Sequence, residues 1–177
     1  MAEAPIDVVV AAFPSEQGAT DALKELETAK KDGLISIKDA AVLRRDAGNE
    51  LHITETADKG FGKGAVMGGV TGAVVGVIAG PIGWLTLGGA AVGGLAAKLR
   101  DGGFPDSRLR QVGEGLKPGS SAIVAVVEHE WVHEVERRME ARSADMITES
   151  IESEIADQLE QEGERLQEPG SGQPSNT

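Results

Sequence analysis

Residues 6–13, IDVVVAAF, are almost continuously apolar and rich in β-branched side chains, as a central strand buried on both faces would be. Pro14-Ser15 ends this run. Beyond Ser15 the spacing becomes helical, with Ala19, Ala22, Leu23, Leu26 and Ala29 on one side and a basic last turn, Lys30-Lys31, before Gly33. Two apolar runs, 41–45 and 51–56, flank the turn composition Asp46-Ala47-Gly48-Asn49 and predict an antiparallel hairpin. After a glycine-rich interval, Asp106 is placed to cap a short helix carrying Leu109, Val112 and Leu116, which Lys117-Pro118-Gly119 breaks. SAIVAVV at 121–127 reads as a second buried strand, and 131–142 as a helix with Val132, Val135 and Met139 on one stripe.

This order of elements predicts an α+β fold, a ferredoxin-like (split βαβ) sandwich with an insertion between its third strand and second helix. Residues 5–58 and 104–142 form its two halves, 60–99 a glycine-zipper α-helical hairpin, 143–167 an acidic amphipathic helix and 168–177 a disordered tail. In the acidic segment Met146, Ile147, Ile151, Ile155 and Leu159 make a narrow apolar stripe, suited to a partner helix or to folding back on the sandwich.

Within the insertion Gly60, Gly64, Gly68, Gly72, Gly76 and Gly80 recur every four residues, and the series resumes after Pro81 at Gly89 and Gly93. Each interior glycine costs a helix roughly 1 kcal/mol relative to alanine. A smooth glycine face offsets that cost only when another backbone packs closely against it. The run from Gly64 to Ala97 contains no charged residue over 34 positions, and Gly80-Pro81 is expected to divide it into two arms. Each arm would be about 23 Å long at 1.5 Å per residue, short for a hydrocarbon core of about 30 Å. Lys59, Lys63, Lys98 and Arg100 flank the run at its open end, where positive charge favours the cytoplasmic side, and Trp84 near the tip suits an interfacial anchor. Insertion into a bilayer and burial between subunits of a soluble homo-oligomer both follow from this pattern.

Charge narrows the choice of partner. The formal net charge is −12, and between Glu128 and Glu168 there are 14 acidic residues against four arginines, so the acidity belongs to the C-terminal part. A surface of that sign repels phosphates, and with no tyrosine and few other aromatics there is no base-stacking face, which argues against nucleic acid. The absence of cysteine removes disulfides, thiolate metal ligands and thiol nucleophiles. The first residues lack the basic start of a signal peptide, so export is not expected.

HEWVH at 129–133 matches the His-Glu-x-x-His spacing of helix-borne zinc ligands, with Glu130 in the position of a general base. Its context is unfavourable, because His129 follows directly on a predicted strand and a third ligand is not evident; Glu149, Glu152 and Glu154 are at workable distances in sequence. Two exposed histidines at a helix start are the simpler expectation, and His52 reads as a sheet-face residue. No cofactor and no catalytic residue is predicted.

The stretches ALKELETAKKDGLI, DAAVLRRDAGNELHITET, the Gly80-Pro81-Ile82-Gly83 break and LRDGGFPDSRLRQVGEGLKPGSSAIVAVVE resemble the bacterial membrane-protein family known as domain of unknown function 1269. The resemblance covers residues 5 to about 142. It implies a bacterial, membrane-associated role, non-enzymatic or uncharacterised, in some cases loosely linked to stress. The expectation is therefore a non-enzymatic, homo-oligomeric scaffold or stress-linked factor anchored by the hairpin in the cytoplasmic membrane, its soluble domain facing the cytoplasm. The alternatives are a soluble, cytoplasmic homo-oligomer using the hairpin as its interface, and a zinc hydrolase using His129, Glu130 and His133.

Overall fold

The computed structural model describes residues 5–55, 69–86, 106–142, 145–151, 155–159 and 161. Its elements run β1 (Ile6–Phe13), α1 (Gly18–Lys31), β2 (Ile37–Arg45), β3 (Leu51–Glu55), α2 (Gly69–Thr86), α3 (Asp106–Gly115), β4 (Ser120–Glu128), a 3-10 turn (His129–Trp131), α4 (Val132–Glu140) and β5 (Asp145–Ile151). A further helical segment covers 155–159.

The five strands among the described residues form one antiparallel sheet in the order β3-β2-β4-β1-β5. β1 and β2, joined through α1, both run antiparallel to β4, which lies between them. β4 and β5, joined through α4, bracket β1 in the same way. Two β-α-β units are thus interleaved. The arrangement explains why β1 and β4 are apolar without alternation: both are internal, and successive residues enter opposite cores. Ile6, Val8 and Val10 join one core with Ala122, Val124 and Val126, while Val9, Ala11 and Phe13 join the other with Ile123, Ala125 and Val127.

One face is covered by α1 and α4 through Ala19, Ala22, Leu26, Ala29, Val132, Val135 and Met139, the stripes read from the sequence. α1 begins under a tie from the sheet, where the Ser121 hydroxyl accepts the Ala19 N–H at 3.0 Å and donates to the Ser15 carbonyl at 2.6 Å. It ends at Gly33, whose φ of +71° is a left-handed conformation that glycine adopts without a Cβ clash. The Leu34 N–H then returns to the Ala29 carbonyl at 2.9 Å.

The opposite face carries α2, α3 and the 155–159 segment. All of residues 70–79 are buried, and Val70, Ala73, Val74, Val75, Val77 and Ile78 pack in one cluster with Leu43, Val124, Val112, Leu116 and Leu159. Gly113 of α3 touches the α2 backbone so closely that a Cβ added there would stand 2.0 Å from the Ile78 carbonyl oxygen. Glycine therefore serves backbone approach between helices, but between α2 and α3 of the same chain.

Two expectations are corrected. The helix does not break at Gly80-Pro81; α2 continues to Thr86. Proline removes one backbone N–H and disfavours a helical residue before it mainly through that residue's Cβ, and here the preceding residue is glycine. Where a second arm would run lies outside the described residues. The second correction concerns 145–151, read as the start of the acidic helix, which is strand β5. The edge of β1 away from β4 would otherwise leave its backbone groups unpaired, and Ile147, Thr148 and Ile151 suit a strand. Ile147 and Ile151, with Ala156 and Leu159, are buried within the chain's own core, so this much of the stripe folds back on the sheet.

Candidate functional site

The HEWVH histidines stand at the end of the sheet where β1, β4 and α4 meet. Glu128 is still extended (ψ 140°), but the 3-10 turn beginning at His129 runs directly into α4, so His129 and His133 open one helical run. Asp7, on β1, is buried, and its Oδ2 accepts the His129 Nδ1 proton at 2.7 Å. Its Oδ1 accepts the hydroxyl of Ser150 on β5. One turn along, His133 Nδ1 lies 3.4 Å from Glu136 Oε2, and Glu136 Oε1 accepts the Thr148 hydroxyl. Among the described residues no third His, Asp or Glu brings a donor atom into a group with these two imidazoles. Of the downstream glutamates considered as ligands, Glu149 is on β5, while Glu152 and Glu154 lie outside the described residues.

A second cluster sits at the β2–β3 turn, where donor atoms of Asp46, Glu50 and His52 all lie within 4.8 Å of one another. The hairpin register pairs Arg45 with Leu51, which places 46 and 50 across the turn and 52 beside them, and Asn49 at φ 68° closes it. Asp46 Oδ2 meets His52 Nε2 at 2.8 Å and Oδ1 accepts the Glu50 N–H at 2.9 Å. These bonds, the imidazole's first, hold the Asp46 carboxyl below the usual aspartate range. His52 is thus more than a sheet-face residue. The signal was available in sequence, since Asp and Glu flank a tight turn four residues apart with His two further on.

The third feature lies under α2. A register shift between Ile37 and Asp39 moves the alternation of β2 by one residue, so Asp39 shares the side of Ala41 and Leu43, facing α2. Burial pushes the Asp39 carboxyl up, opposed by the nearby Thr71 hydroxyl and by the Ala40 N–H at 2.9 Å. Thr71, itself buried, stops short of a full hydrogen bond and its hydroxyl has no partner. An ionised carboxylate at that interface weakens the docking of α2.

Of the glycine-series residues, Gly72, Gly76, Gly80, Pro81 and Trp84 belong to α2. Gly60, Gly64, Gly68, Gly89 and Gly93, with Lys59, Lys63, Lys98 and Arg100, lie outside the described residues. Among the described residues no helix is long and apolar enough to cross a membrane, so the predicted membrane anchor finds no support there.

Among the described residues these features define a mixed α/β protein with helices on both faces of an antiparallel sheet. The family model described as "Protein of unknown function (DUF1269)" matches residues 65–163, more than half of the chain, and the chain belongs to that family. No curated protein and no solved structure matches it.

Proposed function

We propose that this is a non-enzymatic, self-associating membrane factor that stores its glycine-rich helix on its own sheet and yields it to a bilayer. The observation that carries this reading is the burial of every residue from 70 to 79, a helical run in which Thr71 is the one polar side chain. A helix apolar all round requires cover all round. In water the sheet, α3 and the 155–159 segment contribute that cover; lipid chains are an equivalent apolar environment. Lys59, Lys63, Lys98 and Arg100 would then meet anionic headgroups at the cytoplasmic surface. In this reading the two interleaved β-α-β units are a ferredoxin-like sandwich, and the glycine-rich insertion covers the sheet face that such a sandwich leaves open.

Asp39 and Thr71 favour a stored helix over a permanently locked one, since a half-buried carboxylate and an unpaired buried hydroxyl weaken the interface. The decisive experiment is flotation of the full-length, untagged chain with vesicles containing anionic phospholipid, followed by an alkaline wash. Retention in the washed vesicle fraction, together with altered protease protection of 64–97, is expected. A chain that stays with the aqueous fraction and elutes as a defined oligomer would replace this reading with the soluble assembly protein.

A further inference from the structure

We propose that His129 and His133 form a two-imidazole site for a late divalent transition metal, zinc, nickel or copper, with Asp7 as the carboxylate that orients His129. The two histidines have related surroundings, tight at His129 and looser at His133. Each turns Nδ1 toward a carboxylate, Asp7 at 2.7 Å and Glu136 at 3.4 Å. Each carboxylate has its other oxygen held by a hydroxyl of β5, Ser150 for Asp7 and Thr148 for Glu136. Ser150 and Thr148 are two residues apart on one strand and so share a face.

A carboxylate accepts but does not donate, so it keeps the neutral imidazole's proton on Nδ1 and leaves the Nε2 lone pair free. At His129 that hydrogen bond also fixes the ring's orientation, which is how carboxylates support histidines that bind metals. The side chains of His129 and His133 are 60% and 95% exposed, so an ion in solvent can reach both rings, and His133, only loosely paired with Glu136, is free to turn toward an ion held by His129. Imidazole nitrogen selects zinc, copper and nickel over magnesium or calcium.

The need of buried Asp7 for a partner accounts for His129 alone. It does not account for His133, because Glu136 is not fully buried and already has Thr148. The Asp46-Glu50-His52 cluster is the weaker host, since His52 already spends Nε2 on Asp46 and the other two donors are carboxylates. With two protein ligands the remaining coordination positions belong to water or another molecule, which makes this a binding site and not the hydrolase centre suggested by the spacing of the motif.

The test is a zinc titration of the untagged, full-length chain by calorimetry, repeated on His133→Ala, His129→Ala, Asp7→Asn and His52→Ala. One zinc per chain is expected, with affinity falling at least about tenfold in the first two variants, about 10- to 100-fold in Asp7→Asn, and not at all in His52→Ala. Imidazole nitrogen chemical shifts should report ligation through Nε2 of both residues. No saturable binding, binding indifferent to His133→Ala, or binding lost in His52→Ala would each overturn the site. Because His133 is almost wholly exposed, its variant decides the matter even if replacing the partner of Asp7 impairs folding.

Discussion

The sheet is covered differently on its two faces. On one, α1 and α4 each bury a stripe and give the rest to solvent: Asp21 and Lys24 pair on α1, Arg138 and Glu134 on α4, and Arg142 reaches across to Glu25. On the other, α2 is buried through ten consecutive residues and depends on α3 and the 155–159 segment for its outer cover. An amphipathic helix can be left half bare without penalty, whereas an apolar helix cannot. The face that holds α2 is therefore the one whose integrity depends on several layers staying together, and it also contains the half-buried Asp39 and the unpartnered Thr71.

The most direct way to break this asymmetry is Gly113→Ala. The added methyl would meet the Ile78 carbonyl oxygen at 2.0 Å, and because that atom is backbone the helices must separate. Overpacking of this kind costs about 1–3 kcal/mol. Hydrogen exchange is expected to accelerate in 69–79 and 106–115 while α1 keeps its protection. Equal acceleration in α1 would mean that both faces open as one unit, and the stored-helix reading would lose its mechanical basis.

Asp39→Asn sharpens the same contrast with a smaller effect and the opposite sign. A carboxyl whose folded pKa lies above its ordinary value of 3.8 supports folding fully below that value, and the support is lost as pH rises through the raised pKa. In the wild type the α2 face should therefore loosen between acid and neutral pH, as seen by exchange within 69–79. The amide, unable to ionise, should tighten that face at neutral pH and flatten the trend. An unchanged pH dependence in the variant would place the titration elsewhere.

How much of this was legible in the sequence depended on whether a segment's partner lay near or far along the chain. The stripes on α1 and α4, the hairpin turn at Asp46 to Asn49 and the buried strands β1 and β4 are set by local periodicity and turn chemistry, and the structure places them as read. β5 was not legible, because Ile147 and Ile151 satisfy a helical stripe as well as a strand, and only the open edge of β1, some 140 residues earlier, decides between them. At the candidate metal site, the spacing of His129 and His133 was visible. Asp7 as the residue that orients His129 was not, since β1 reads as a plain buried strand and the contact spans 122 positions.

The smallest expected effect lies at the far end of the sheet, in the β2–β3 turn, where Asp46 behaves in the opposite sense to Asp39. Its carboxyl is held below 3.8 by His52 first and then by the Glu50 N–H, so its contribution is complete above that pH and is lost as pH falls through the lowered value. Acidification should therefore relax the hairpin tip at a lower pH than the range in which protonation of Asp39 tightens α2. Asp46 is exposed to solvent screening, and the change should be confined to the turn, visible as amide shifts at Asn49 and Glu50 that titrate in the wild type and lose that titration in Asp46→Asn. If the turn shifts persist in the variant, Asp46 does not carry the titration. The two ends of β2 would then differ in burial alone and not in the sign of their response to acid.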